Sequence, residues 1–287
     1  MKKQPSLLVI QWNYTDYIGE IDMKLFISSL VRGMAQMEKI ALWVDQKQET
    51  GLGVELIAFT HDEVYWDRLK RLLSKLSCPL TFHGPYINVE ATSPKGTLEY
   101  SHLIDSYCRV CSLAAEYHVN HIVFHYTQKG VLAEEKPYVK DRMIENLGTI
   151  LDIGKREGAE ILVENLPYPS NGLPLCTNEE YKELYDLFPN MCGLIDMGHA
   201  YLTQLPMGGF LENYGERIHA YHFHNNDGMK DCHNSILKGK IDYEKFAVLF
   251  QKYTPDARIV LEYEPHAWVS EELMERDINY VNKLYFS

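Results

Sequence analysis

Short apolar, β-branched runs alternate with longer amphipathic segments along almost the whole chain, and this alternation is the feature that most constrains its fold. The short runs predict eight strands, at residues 7–11, 54–59, 80–83, 121–126, 161–164, from 193, 218–224 and from 258. Between them, apolar residues recur at intervals of three and four. That spacing predicts helices at residues 27–46, 62–77, 100–118, 142–157, 178–187, 243–252 and 271–285.

Strands that alternate with helices in this way form parallel βαβ units, because a parallel partner strand can be reached only through a crossover connection. Eight such units predict an α/β protein, a closed (β/α)8 TIM barrel that forms a single domain over residues 1–287. An open doubly wound sheet is the alternative. The first predicted strand is not followed by G-x-G-x-x-G, and no Gly/Pro/Ser-rich linker divides the chain, so the barrel is favoured.

The charge balance limits the class of partner. The 28 Lys and Arg residues against 40 Asp and Glu residues give a formal net charge of −12. This argues against nucleic acid, whose affinity for proteins comes mainly from Lys and Arg on phosphates. No run approaches the length of a membrane span, and the N-terminus lacks a signal peptide's apolar segment. Six scattered cysteines fit reduced thiols. We therefore expect a cytoplasmic protein that acts on a small molecule, with its oligomeric state open and a homo-oligomer compatible.

Six consecutive predicted strands, from the third to the eighth, end in residues that can bind a metal. Taken singly, such a histidine is more often a hydrogen-bonded core residue, and such a carboxylate is often a helix cap. In a TIM barrel, however, the carboxyl ends of all strands face one pocket, where unpaired carboxylates and imidazoles would be costly to bury. The sequence therefore predicts a metal site built from these strand ends: His83, His125, Glu164, Asp196 with His199, His222 with His224, and Glu262 with Glu264.

The segment at residues 219–242 is the richest in such side chains. Within twelve residues it carries His222, His224, Asp227, Asp231 and His233. Asp231 and His233 are two apart, so an extended backbone points both to the same side. A polar surface loop rich in Asn and Asp is the plainer interpretation of this segment alone. The donors are imidazole and carboxylate without thiolate, which suits zinc, manganese, cobalt or iron. We expect one to three divalent ions, with zinc or manganese first.

Several motifs make the chain resemble the xylose isomerase-like TIM barrel superfamily, which includes endonuclease IV and many sugar isomerases and epimerases. The resemblance is clearest from His83 to Glu262. It is carried by HGPY, VFH, VENLP, IDMGH, HFHNNDG followed by DCH and GKID, and VLEYEP. Each motif is weak alone, but their order and spacing together are specific. One departure is Leu237, which stands where the family often has the first glycine of a G-x-G, whereas Gly239 keeps the second.

The resemblance implies a ligand set. The family's shared metal centre would use Glu164, Asp196, His222 and Glu262, and the pattern of endonuclease IV would add His83 and His125 beside Glu164. A third ion would be held by His199, Asp231 and His233. On the seventh strand, His222 matches if Asn225 takes the family's usual carboxylate position, and His224 matches if Asp227 does. We favour His222 as the ligand and place His224 among the substrate-binding residues.

Two enzymatic functions follow from the resemblance. In a sugar isomerase or epimerase, Glu164 and Glu262 would shuttle the proton through an enediolate, and His199 would polarise the carbonyl oxygen. Trp12, Tyr86 and Tyr126 could then wall the sugar. In a trinuclear zinc phosphoesterase, the third ion at His199, Asp231 and His233 would stabilise the leaving oxygen. A sugar-binding or metal-storage protein is the non-catalytic alternative. The acidic balance disfavours a DNA-repair enzyme, so the sequence favours the isomerase or epimerase.

Overall fold

Eight parallel strands close into a barrel in which each strand pairs with the next along the chain and the last pairs with the first. The computed structural model describes residues 24–30, 33–47, 50–127 and 129–286. The strands are β1 (Leu25–Ser28), β2 (Leu52–Ile57), β3 (Leu80–His83), β4 (Ile122–Phe124), β5 (Ile161–Glu164), β6 (Cys192–Asp196), β7 (Ile218–Phe223) and β8 (Arg258–Leu261). The predicted (β/α)8 barrel is confirmed.

The helices surround the barrel. They are α1 (Met34–Asp45), α2 (Glu63–Leu73), α3 (Leu98–Glu116), α4 (Lys136–Glu157), α5 (Asn178–Leu187), α6 (Met197–Thr203), α7 (Met207–Tyr214), α8 (Tyr243–Tyr253) and α9 (Glu271–Tyr285). Among the described residues, no helix combines the length and the apolar character needed to cross a membrane.

Polar residues at the helix starts fix where most of these helices begin. A side-chain oxygen just before each of six helices accepts a hydrogen bond from a backbone N–H of the first turn, which would otherwise lack a partner. These caps are Asp62, Thr97, Thr177, Asp196, Asp242 and Ser270. At α5 the bond is reciprocal, because Glu180 also accepts from the backbone of Thr177.

The first strand is where the sequence prediction was wrong. The strand predicted at residues 7–11 lies outside the described residues, and the first strand of the barrel is Leu25–Ser28. The helix predicted from residue 27 therefore begins too early, since α1 starts at Met34. All four residues of β1 are buried. A continuous apolar run of this kind cannot be distinguished from a buried helical segment by periodicity.

Two further differences lie in the helices. Helix α4 starts at Lys136, six residues before the predicted start at 142, with a proline in its first turn, where the missing N–H costs no hydrogen bond. The connection from β6 to β7 contains two short helices, α6 and α7, that were not predicted.

The barrel interior has a thin apolar layer. Four inward-facing side chains from successive strands form it: Val123, Leu162, Leu194 and Ala220. The main hydrophobic core lies instead between the outer faces of the strands and the helices. Beyond this thin layer, the interior at the carboxyl end of the strands is filled by imidazoles and carboxylates.

Candidate metal centre

Residues at or next to the carboxyl ends of six successive strands, β3 to β8, converge at one end of the barrel. Side chains alternate along a strand, so a residue two positions beyond an interior apolar residue faces the same side. Val123 and Leu162 lie in the apolar layer, and His125 and Glu164 follow them by two positions. The converging side chains are all buried apart from the half-buried His125: His83, His125, Glu164, Asp196, His222 and Glu262.

The first of three adjoining groups consists of His83, His125 and Glu164. The Nε2 atom of His125 lies 2.6 Å from Oε2 of Glu164. The rings of His83 and His125 meet edge to face, with centroids 4.6 Å apart. Burial, together with the neighbouring His125, lowers the pKa of His83 to about 4. The His83 imidazole is therefore neutral at pH 7, and its lone pair can bind a cation.

The second group surrounds His222. Its Nδ1 atom lies 3.4 Å from a carboxylate oxygen of Glu262, 3.6 Å from one of Glu164 and 3.9 Å from one of Asp196. Ligands that bind an ion at about 2.0–2.2 Å stand roughly 3–3.6 Å from one another. A small contraction would therefore let one ion contact all four side chains. Glu164 belongs to both the first and the second group and could bridge two ions.

The third group consists of His199, Asp231 and His233. The Oδ2 atom of Asp231 lies 3.0 Å from Nε2 of His199 and 3.1 Å from Nε2 of His233. The Nδ1 atoms of the two rings lie 2.9 Å from the carbonyl of Asn165 and 3.2 Å from the carbonyl of Glu262, respectively. A carbonyl only accepts, so each Nδ1 carries a proton, and each Nε2 is left to face the carboxylate.

His224 lies between the second and third groups. Its Nε2 atom is 3.0 Å from both carboxylate oxygens of Asp196 and 3.7 Å from Oδ1 of Asp231. Its ring stacks on that of His233 with centroids 3.8 Å apart. His222 faces Glu164, Asp196 and Glu262, the three carboxylates predicted to share its ion. His224 faces only Asp196 of these three. This geometry favours His222 as the ligand, although the choice between them stays a prediction.

Several buried atoms of the centre suit a bound cation. Within the described chain, four buried side-chain atoms of the centre have no hydrogen-bond partner: Nδ1 of His125, His222 and His224, and Oε1 of Glu262. Burial raises the pKa of Glu262 to about 8, and the carboxylates of Glu164 and Asp196 add to this against the opposing effect of His222 and His233. A cation would offset the mutual repulsion of these carboxylates, so the residues present fit a divalent metal.

The loop that carries Asp231 and His233 is held by Asn225. Its Nδ2 atom donates to the carbonyls of Ile236 and Ile241, at 2.8 and 3.3 Å, and its backbone pairs with Asn234. His233 has a φ of 41°, in the left-handed region that non-glycine residues adopt infrequently, and such conformations cluster at functional sites. Asp227, by contrast, lies in an exposed turn whose backbone N–H groups it caps.

Glu55 is a residue of the centre that the sequence analysis missed. It lies in the middle of β2, fully buried, and accepts a hydrogen bond from Ser28 at 2.9 Å. Its Oε2 atom is 3.2 Å from Nε2 of His222. The six predicted ligand positions are at strand ends, whereas Glu55 stands two positions before the end of β2. The available signal was a single acidic residue within the apolar run GVELIAF.

The three aromatic residues predicted to wall the sugar are placed differently. The ring of Tyr86 lies 4.9 Å from that of His83 and 5.3 Å from that of His125, beside the first group. Tyr126 is in the hydrophobic core, and its hydroxyl accepts a hydrogen bond from the backbone N–H of Leu166. Trp12 lies outside the described residues. Their contacts with substrate stay predictions.

Another group of ionisable residues occupies the opposite end of the barrel. His219 Nδ1 lies 2.6 Å from Oε1 of Glu160, and Arg258 donates to Oε2 of Glu160 at 2.5 Å. Cys192 lies close to both His219 and Glu160. A cavity of about 1100 Å³ opens nearby, but Arg258 already neutralises the one carboxylate of this group. We therefore place the candidate metal centre at the carboxyl ends of the strands. The residues described there as candidate ligands are carboxylates and imidazoles, with no lysine or arginine among them to neutralise the carboxylates.

Comparison with known proteins agrees with this architecture. A sequence profile of the xylose isomerase-like TIM barrel family matches residues 39–284. A protein of Methanocaldococcus jannaschii, itself uncharacterised, is 27% identical over 132 residues, which is 45% of this chain and 46% of that protein. The chain thus matches about half the length of that curated relative.

Solved structures of similar shape cover nearly the whole chain. A D-tagatose 3-epimerase-like protein superimposes with a TM-score of 0.71 at 21% identity, over 91% of this chain and 99% of the other. A D-allulose 3-epimerase from Methylomonas sp., in complex with D-allulose, gives 0.71 at 14% identity, over 92% and 97%. A protein from Thermus thermophilus soaked with ZnCl2 gives 0.67 at 20% identity, over 91% and 98%.

Fold and site together define a (β/α)8 barrel protein with a buried imidazole and carboxylate centre at the carboxyl ends of its strands. The extent of the sequence match then fixes the family. The chain belongs to the xylose isomerase-like TIM barrel family.

Proposed function

We propose that the protein is a metal-dependent isomerase or epimerase of a sugar or sugar phosphate. The observation that carries the proposal is the placement of two buried glutamates around one imidazole nitrogen. Nδ1 of His222 lies 3.6 Å from Glu164 and 3.4 Å from Glu262. A substrate that bound to an ion at this position would therefore lie beside two carboxylates able to exchange a proton with it.

The proposed reaction moves one proton at the carbon next to a carbonyl. A divalent ion held by Glu164, Asp196, His222 and Glu262 would polarise the substrate carbonyl and acidify that carbon. One of the two glutamates removes the proton and leaves an enediolate. For epimerisation, the other glutamate delivers a proton to the opposite face of the same carbon. The substrate loses and gains one proton. The delivering glutamate starts protonated, and the two carboxyl groups return to their starting states by exchanging protons with solvent.

His199 is placed to assist the carbonyl oxygen. Its Nδ1 proton is committed to the carbonyl of Asn165, so Nε2 is the atom left to act. Nε2 faces Asp231, and an oxygen bound near that position would be within its reach. Tyr86, beside the first group, is the aromatic residue best placed to contact a sugar ring. Trp12, Tyr126 and His224 remain proposed substrate contacts.

The known structures of similar shape support this choice of reaction. A D-allulose 3-epimerase in complex with D-allulose and a D-tagatose 3-epimerase-like protein each superimpose on more than nine-tenths of the chain. The ligand set has no sulfur, which suits zinc or manganese, with one to three ions. The net charge of −12 supports a small sugar rather than a nucleic acid as the partner. We also propose that the enzyme works in the cytoplasm, where its six thiols stay reduced.

Solvent exchange at the α-carbon tests the reaction. Purified protein loaded in turn with Zn²⁺ and Mn²⁺ is incubated with a panel of ketoses in D2O, and deuterium incorporation is followed by NMR. We expect metal-dependent incorporation with at least one ketose and its loss in both Glu164→Gln and Glu262→Gln. Glu160→Gln, which alters a glutamate at the opposite end of the barrel, is the matched control and should retain exchange. Exchange that survives both glutamine variants would contradict the proposed proton transfer.

A trinuclear phosphoesterase is the second candidate, and one specific observation favours it. The third group offers the two Nε2 atoms of His199 and His233 on one carboxylate, Asp231, which is more than a single-metal epimerase needs. Metal stoichiometry and a phosphatase assay separate the two candidates. Three tightly bound zinc ions, phosphomonoester or abasic-site cleavage and no α-carbon exchange would replace the epimerase proposal with the hydrolase.

A further inference from the structure

Glu55 approaches the centre from inside the barrel rather than from the ends of the strands. Its side chain is fully buried, and both of its oxygens have partners. Ser28 donates to Oε1 at 2.9 Å, and Nε2 of His222 lies 3.2 Å from Oε2. Thr81 Oγ1 lies at the limit of hydrogen-bond distance from Oε2, at 3.5 Å. A carboxylate only accepts, so the proton in the His222 contact is on Nε2.

This contact decides which nitrogen of His222 faces the three carboxylates. In the neutral imidazole, the proton on Nε2 leaves the lone pair of Nδ1 facing Glu164, Asp196 and Glu262. That Nδ1 atom is buried and has no hydrogen-bond partner in the described part of the chain. In the absence of an ion, a second proton on Nδ1 would offset the repulsion from the three carboxylates, and a divalent cation bound there would take the place of that proton. The arrangement is thus that of a metal-binding histidine held by a carboxylate at its other nitrogen.

We infer that Glu55 is a positioning residue for the metal ligand His222, which it fixes in orientation and tautomer by accepting the Nε2 proton. This rests on the metal site of the proposed function. It also assigns a role to β1, because Ser28 at the end of that strand holds the other oxygen of Glu55. The Nδ1 atom of His224 is also buried without a partner, but the carboxylate at its Nε2 is Asp196, which is itself a proposed ligand, so this arrangement favours His222 as the ligand on β7.

Binding of Co²⁺, without any substrate, tests this role. Metal-free protein is titrated with Co²⁺ against a competing chelator, and the visible absorption of the bound ion is recorded. Loss of a histidine's outer partner weakens metal binding by about 10–100-fold. We expect Glu55→Gln to raise the Kd for Co²⁺ by this factor and to shift the absorption bands, because the ligand field of His222 changes. Glu55→Asp, which keeps the charge, should recover part of the affinity.

Matched variants separate positioning from general stability. Glu160→Gln makes the same change to a barrel glutamate that accepts from a histidine, His219, at the opposite end, and should leave the Kd within about twofold. In a His222→Gln background, Glu55→Gln should change the Kd no further, whereas in a His224→Gln background it should keep its full effect, because only contacting residues couple. If Glu55→Gln does not fold, Ser28→Ala gives a milder version of the same test with a smaller loss.

The outcomes are distinguishable. Wild-type protein that binds no Co²⁺ would overturn both the metal site and the proposed function. Wild-type protein that binds Co²⁺, with Glu55→Gln unchanged in Kd and spectrum, would overturn only the role of Glu55. The same applies if Glu55→Gln weakens binding equally with and without His222.

Discussion

Three histidines of the centre each have one ring nitrogen fixed by a neighbouring oxygen, and this decides which nitrogen each presents to an ion. His199 and His233 donate from Nδ1 to backbone carbonyls, and His222 donates from Nε2 to Glu55. The sequence could indicate that these residues bind metal, because they end strands or follow them. It could not indicate which ring nitrogen of each histidine would bind the ion. That choice depends on hydrogen bonds to oxygens that lie in β2 or directly after β5 and β8.

The pair His222 and His224 gives a prediction at this scale. Only His222 faces Glu164, Asp196 and Glu262 together, so His222→Gln should reduce Co²⁺ affinity by more than about 100-fold, beyond the loss typical of an outer partner. His224→Gln should cost less than about tenfold. Chelator competition measures both. A larger loss in the His224 variant would assign the ligand on β7 to His224.

Helix α6 shows how an element depends on one small residue. It begins directly after β6, capped by Asp196, and Gly198 in its first turn packs against the ring of His224. A Cβ atom at Gly198 would lie 1.9 Å from Cε1 of that ring. The motif IDMGH thus predicts a metal site through Asp196 and His199. The motif does not show why position 198 is glycine. The reason is the ring of His224, directly after β7, which leaves no room for a Cβ atom.

Gly198→Ala should therefore destabilise the protein and disturb the centre. His224 is fully buried and cannot move aside, so we expect a loss of about 1–3 kcal/mol in the free energy of unfolding, together with weaker metal binding. Urea denaturation and Co²⁺ titration measure these effects. Gly208→Ala in α7, where an added Cβ meets nothing within 4 Å, is the control and should not lose stability. Equal behaviour of the two variants would contradict the packing argument.

The whole molecule carries ionisable groups at both ends of its barrel, separated by the thin apolar layer. At the amino end, His219 is half-buried beside Cys192 and Glu160, and these neighbours raise the pKa of His219 to about 10. Because the folded pKa lies above the unfolded value of about 6.5, protonated His219 stabilises the fold. This contribution is full below pH 6.5 and is lost as the pH rises through 10.

His219 should therefore make stability depend on pH in the alkaline range. The free energy of unfolding of metal-free protein should fall between pH 7 and pH 10, and the fall should be shallower in His219→Gln. Urea denaturation at several pH values gives both curves, and their difference isolates His219 from tyrosines and cysteines that titrate in the same range. Parallel curves would show that the pKa of His219 is not raised.

The sequence by itself determined the architecture and most of the candidate centre. Strands and helices alternate with a spacing that only parallel βαβ units satisfy, and six strands end in His, Asp or Glu. Local pattern carries this information, because side-chain alternation and strand ends are properties of the chain alone. The first strand was the exception, since β1 is buried on both faces and its apolar run has no distinguishing period.

Only the tertiary structure decided how the centre is assembled. Glu55 and His222 are 167 residues apart in the chain and meet because barrel closure brings interior side chains of β2 and β7 to the same axis. The three groups, the nitrogen that each histidine presents and the need for glycine at position 198 are set by such distant contacts. A local pattern holds no information on them, because each depends on side chains supplied by other strands.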